Sequence, residues 1–139
     1  MAERLQHYYN DAHGELHIML KRILIAEDEQ DARELLASIA IAKGYDVITV
    51  TDGLDLLAIA AVEKFDVIIT DLMMPNMTGA SAAEIMKLQG NATPIIALTA
   101  LTPHDMDLVQ SSFAKIYHKP CNISELFDFV ESLAENKLD

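Results

Sequence analysis

The stretch DVIITDLMMPNMTG sets one carboxylate, Asp71, at the end of an apolar, β-branched run and then halts the chain at Pro75. Groups of matching chemistry stand at the ends of similar runs. RILIA is followed by Glu27, Asp28, Glu29 and Asp31. PIIALT ends on Thr99, and KIYH ends on His118, with Lys119 and Pro120 next. Crowded carboxylates raise one another's pKa unless a cation sits among them. Glu27, Asp28 and Asp71 offer hard oxygen ligands that suit Mg²⁺, which binds a few carboxylates and keeps positions open for phosphate oxygens. A carboxylate can also act as a nucleophile and form an aspartyl phosphate. The transferred group carries its charge on three oxygens, for which Mg²⁺, the Lys119 ammonium and the Thr99 hydroxyl are fitting partners.

Each group has a plainer reading when taken alone. Acids ahead of a helix favour its dipole and cap it, which accounts for Glu27 to Asp31. Asp71 reads equally well as a turn residue, Thr99 as an ordinary strand residue, and Lys119 as a solvated lysine. Their combination argues for a site, because four of the five predicted strands end on a charged or reactive group.

The elements that must position these groups follow from hydrophobic periodicity. Short apolar runs predict strands at Arg22–Ala26, Asp46–Val50, Asp66–Thr70, Pro94–Thr99 and Lys115–His118. Helical patterns lie between them and after the last. DARELLASIAIAKG closes on Gly44, DGLDLLAIAAVEKF follows, and GASAAEIMKLQG is bounded by Gly79 and Gly90. PHDMDLVQSSF is a weaker pattern, and NISELFDFVESLAENKL opens with the capping-box spacing of Asn122 and Glu125. Such alternation predicts a parallel sheet covered by helices on both faces. In that architecture ligands bind outside the carboxyl ends of the strands, where the charged groups collect.

Composition narrows the function classes. The chain has 139 residues, enough for one domain with a core of its own, and 51% of them are hydrophobic. A net charge of −12 argues against direct nucleic-acid binding. Cys121 is the single cysteine, which excludes an internal disulfide and favours a reducing, cytoplasmic setting. No apolar stretch predicts membrane insertion and no signal peptide is visible. His7, His13, His17, His104 and His118 form no convincing zinc set. No Walker loop or GxGxxG is present, so a nucleotide is not indicated as substrate, and a small flavodoxin-like enzyme or cofactor binder is the weakest of the readings weighed.

From about Lys21 to Leu138 the chain resembles the receiver domains of two-component response regulators. The resemblance rests on ILIAEDEQDARELL, DVIITDLMMPNMTG, PIIALTA and KP, in the family's order and near its spacing. It implies a flavodoxin-like, doubly wound (βα)5 sandwich with strand order 2-1-3-4-5. It implies Asp71 as phosphoacceptor, with Mg²⁺ held by Glu27, Asp28, Asp71 and the backbone carbonyl of Met73. It implies that Thr99 and Lys119 contact the phosphoryl group, and that the Lys119–Pro120 peptide is cis. The phosphoryl donor would be a sensor histidine kinase or a histidine phosphotransfer protein. The downstream protein target would be met on the face of the fourth helix, fifth strand and fifth helix, and a homodimer is a further partner the resemblance allows. Such a protein catalyses only its own phosphorylation and dephosphorylation.

Some positions depart from the pattern. Ile116 stands where the family's switch aromatic is usual, and Tyr117 follows it. Strand alternation points the two opposite ways. Thr99 to Lys119 is shorter than usual, so the fourth helix is expected to be short or displaced. Cys121 replaces a commoner apolar or aromatic residue. Residues 1–20 form an extension, a tail or an extra helix with Leu5, Tyr8, Ala12 and Leu16 at loosely helical spacing, ahead of a receiver domain at 21–139. Because the sequence ends soon after the last helix, a stand-alone phospho-switch is expected. The alternative is a receiver-like interaction module that no longer switches by phosphorylation.

Overall fold

The computed structural model describes residues 8–18, 20–100 and 112–136. The first of these form a hairpin, in which β1 (Tyr8–Asn10) pairs antiparallel with β2 (Leu16–Ile18). This corrects the extra helix expected from the spacing of Tyr8, Ala12 and Leu16; Leu5 lies outside the described residues. Turn chemistry decides the outcome. Asp11 Oδ1 accepts the N–H groups of His13 (2.8 Å) and Glu15 (2.9 Å), and Gly14 adopts φ 82°, a conformation open to glycine at little cost.

The main sheet holds β3 (Arg22–Ala26), β4 (Asp46–Val50), β5 (Val67–Asp71), β6 (Ile95–Thr99) and β7 (Lys115–His118). All four pairings are parallel, in the order β4-β3-β5-β6-β7. Counted within the sheet, this is the expected 2-1-3-4-5. Three strands keep the bounds predicted from sequence. β5 is displaced by one residue, because Asp66 leaves the strand to accept the Arg22 N–H (2.8 Å) while Asp71 stays in register opposite Leu98. β6 starts at Ile95, one residue after Pro94.

Four helices cross over between strands or follow them among the described residues. α1 (Gln30–Ala42) is capped by Glu29, whose carboxylate accepts the N–H groups of Asp31 and Ala32. α2 (Gly53–Val62) is capped by Asp52 and α3 (Gly79–Leu88) by Thr78. α4 (Ile123–Asn136) begins where Asn122 Oδ1 accepts the Glu125 N–H at 3.1 Å. The helix predicted over Pro103–Phe113 falls almost wholly outside the described residues.

Alternation along the strands fills two apolar layers. Ile23, Ile25, Val67, Ile69, Ile96 and Leu98 pack under Leu36 and Ala40 of α1 and Leu126, Phe127 and Val130 of α4. On the other face Leu24, Ala26, Ile68 and Ile95 pack under Leu56 and Ala60 of α2 and Ala82, Ala83 and Met86 of α3. Each fully buried Leu, Ile or Phe contributes roughly 1.5–3 kcal/mol. β5 and β6 are buried along their whole length, whereas the edge strands β4 and β7 are not. The interior strands therefore form a rigid post that ends at Asp71 and Thr99. No described helix is long and apolar enough to cross a membrane.

Candidate functional site

The carboxyl ends of β3, β5, β6 and β7 bring Glu27, Asp71, Thr99 and Lys119 to one edge. Register enforces this, since Ala26 pairs with Thr70, Asp71 with Leu98, and Thr99 with His118. The backbone ladder runs past the strand ends. Leu72 N–H donates to the Leu98 carbonyl (3.3 Å), and Lys119 N–H donates to the Thr99 carbonyl (2.7 Å). The Lys119–Pro120 peptide is cis.

Lys119 Nζ lies between two carboxylates, 2.7 Å from Asp71 Oδ2 and 2.9 Å from Glu27 Oε1. Glu27 is 1% exposed, Asp71 8% and Thr99 0%. A charge buried so deeply is tolerable only when paired. The other oxygens are also engaged. Asp71 Oδ1 accepts the Met73 N–H (3.0 Å), and Glu27 Oε2 accepts the Glu29 N–H (3.2 Å). Burial pushes the Glu27 carboxyl above its ordinary range, and the Asp71 charge adds to this against the hydrogen bonds from Lys119 and Glu29. Burial works against the Lys119 ammonium, but its hydrogen bonds to Asp71 and Glu27 outweigh that and raise its pKa. Lys119 is thus held as a cation.

Asp28 is exposed at the rim. One oxygen each of Glu27, Asp28 and Asp71 lies within 4.8 Å of the others. That separation is close to the ~4 Å span across a Mg²⁺ octahedron, and the donors are all carboxylate oxygens, so the set fits a hard divalent cation. Arg33 belongs to the same arrangement although sequence reasoning passed over it. Its Nη1 donates to the carbonyls of Glu27 (3.1 Å) and Asp28 (3.3 Å), reaching back from the first turn of α1. The signal available was its spacing, one helical turn after the Glu29 cap.

Below the edge, Ile116 packs against Leu72 and Ala97, as do Ala80 and Phe113. Tyr117 points to the opposite face and packs against the layer containing Leu126 and Phe127. Cys121 is half-buried against that same layer. Met73 is expected to serve through its carbonyl; its side chain is 57% exposed beside Asp71.

Residues 23–131 match the family described as the response regulator receiver domain. The chain belongs to the response regulator receiver family. Among its relatives, the uncharacterized transcriptional regulatory protein YbdJ of Bacillus subtilis is 34% identical over 116 residues, which is 83% of this chain and 51% of YbdJ. Of solved structures, a Francisella response regulator receiver domain aligns with TM-score 0.80 at 28% identity, covering 84% of this chain and 98% of that one. The Thermotoga maritima response regulator TrrA, solved in complex with Mg²⁺–BeF, aligns with TM-score 0.76 at 31% identity, covering 82% and 99%. This receiver spans about a fifth to about a half of the length of the first curated relatives it matches.

Proposed function

We propose that this receiver is a Mg²⁺-dependent phosphorylation switch with Asp71 as the acceptor. The observation that carries the proposal is Lys119 Nζ 2.7 Å from Asp71 Oδ2, beside a three-carboxylate cluster at the end of the central strand. An Asp71 oxygen attacks the phosphorus of a phosphohistidine on a sensor histidine kinase or histidine phosphotransfer protein. The P–N bond breaks, and its electron pair leaves with the imidazole, which takes up a proton. The product is an aspartyl phosphate. Lys119, already cationic and hydrogen-bonded to Asp71, neutralises charge that develops on the phosphoryl oxygens. Thr99, the next residue on the neighbouring strand, offers its hydroxyl to another of those oxygens. Glu27, Asp28, Asp71 and the Met73 carbonyl would hold Mg²⁺, which supplies further charge neutralisation when bound. TrrA, similar to this chain, was solved with Mg²⁺–BeF, which supports the same use of the acidic cluster here.

The output is contact with a downstream protein through β7, α4 and the helix predicted over Pro103–Phe113, and the protein turns over no external substrate. A second reading, an interaction module that does not switch, is favoured by Ile116 at the place of the usual aromatic and by Tyr117 on the opposite face. Incubation with a small phosphodonor and Mg²⁺ tests both. Wild type gains the mass of one phosphoryl group, while Asp71→Asn, or wild type with excess chelator, gains none. Phosphorylation that persists in Asp71→Asn overturns the acceptor assignment. Wild type that no donor phosphorylates establishes the second reading.

A further inference from the structure

The loop after Asp71 is tied to the start of α2, and those ties have no evident purpose in stabilising α2 alone. A helix cap needs one side-chain oxygen, and Asp52 Oδ1 fills that role by accepting the Asp55 N–H at 2.8 Å. Its second oxygen accepts a hydrogen bond from Asn76 Nδ2 at 2.6 Å, across 24 residues of sequence. Both hydrogen bonds hold the Asp52 carboxyl below its ordinary pKa, the Asp55 N–H being the larger cause. Asn76 adopts φ 69°, the one positive value among the described non-glycine residues, a left-handed conformation that asparagine tolerates and that turns its side chain toward Asp52. Next to it, Gly53 N–H donates to the Met77 carbonyl at 3.1 Å. A Cβ on Gly53 would lie 2.1 Å from that carbonyl oxygen, so no larger residue permits this approach. Met74 and Met77 anchor the loop from below in the layer over α2 and α3.

We infer that Asp52 and Asn76 are positioning residues for the phosphoryl-transfer site, forming a latch that holds the Met73 backbone against the Asp71 carboxylate. The inference rests on the reading of Asp71 as acceptor with Mg²⁺ beside it. Met73 is the link, because its N–H donates to Asp71 Oδ1 and its carbonyl is the ligand proposed for the cation. A loop released from Asp52 lets Met73 move away from both.

The test uses a swapped pair. Asn76→Gly keeps the backbone conformation accessible and removes the amide. Asn76→Asp sets acceptor against acceptor, whereas Asp52→Asn still caps α2 and can still pair with Asn76, whose amide turns its oxygen toward the new donor. Each Asn76 variant alone should weaken Mg²⁺ binding, measured calorimetrically with Mg²⁺ alone, by about tenfold, the usual effect of losing a partner behind a metal ligand. Amide exchange at Gly53 and Met73 in metal-free protein should accelerate by a similar factor, about tenfold. The double variant Asp52→Asn/Asn76→Asp restores the hydrogen bond with donor and acceptor exchanged, and should return both measurements to within about twofold of wild type. Asn76 variants that leave exchange and affinity unchanged overturn the latch. So does a double variant no better than Asn76→Asp alone. Neither measurement needs phosphoryl transfer, so a wild type that no small phosphodonor labels, yet shows the swap pattern, overturns the acceptor reading and leaves the latch standing.

Discussion

The two edges of the sheet use charge in opposite ways. At the amino edge, Arg22 extends to Asp46 (3.0 Å) and Glu63 (2.8 Å), donates to the Lys64 carbonyl and stacks over Phe65, while Lys21 approaches Asp66. These partners are partly exposed, and the cations reach out over the surface. At the carboxyl edge one cation, Lys119, serves Glu27 and Asp71 with Asp28 close by, and the first two acids are buried. The amino edge is a set of solvated ties between neighbouring strands, each weak and replaceable. The carboxyl edge confines more negative charge than one lysine neutralises, so the fold keeps there an electrostatic demand that an incoming cation can meet.

Removing the cation from each edge should expose that difference. Lys119→Met leaves Glu27 and Asp71 without their partner. Breaking a buried pair costs about 3–5 kcal/mol, and we expect about 2 kcal/mol here because the Lys119 side chain is 32% exposed. Denaturant unfolding at pH 7 in metal-free buffer measures it, and a loss below about 0.5 kcal/mol would break the contrast.

The pH profile gives the next largest effect. The folded pKa of Glu27 lies above its ordinary value of 4.5, so between the two values the native state binds more protons than the unfolded one. Stability therefore falls as pH rises from 4.5 through the folded pKa, by at most about 1.4 kcal/mol per pH unit. Glu27→Gln should flatten this limb without Mg²⁺. A limb equally steep in the variant would assign the effect to another group.

The smallest effect belongs to the amino edge. Arg22→Met should cost at most about 1 kcal/mol, and the cost should shrink as salt rises. A salt-independent loss above about 2 kcal/mol would show that this edge, too, is a desolvated network.

Much of this was legible in the sequence because its signals are local. The apolar runs RILIA, DVITV and KIYH match their strands residue for residue, because a helix cap (Glu29, Asp52) or Pro120 follows within three residues of each. Strand alternation and parallel pairing then place Glu27, Asp71, Thr99 and Lys119 together. What escaped depends on tertiary partners or on turn chemistry. Asp71 reads as the residue just past a strand, but its register with Leu98 makes it the last residue within one. The spacing of Tyr8, Ala12 and Leu16 reads as helical, whereas Asp11 and Gly14 between them make a hairpin turn. Asp52 reads as the start of a helix, and nothing local announces that its second oxygen reaches Asn76. Arg33 reads as one more polar residue on α1 until its carbonyl partners are known.

Gly79 begins α3 directly against the end of β5. A Cβ there would lie 2.2 Å from the Asp71 carbonyl oxygen and 2.9 Å from Thr70 Oγ1. Gly90 is confined differently, by φ 81° with open space around it. The two glycines should therefore leave different signatures in a library of variants. Position 90 should admit asparagine or aspartate, which tolerate the left-handed region. Position 79 should admit nothing larger, because the substitution is felt by the backbone of Asp71 itself. Constraint thus falls on a residue that carries no chemistry of its own, and a genetic screen could locate the carboxylate site by the shadow it casts on its neighbour.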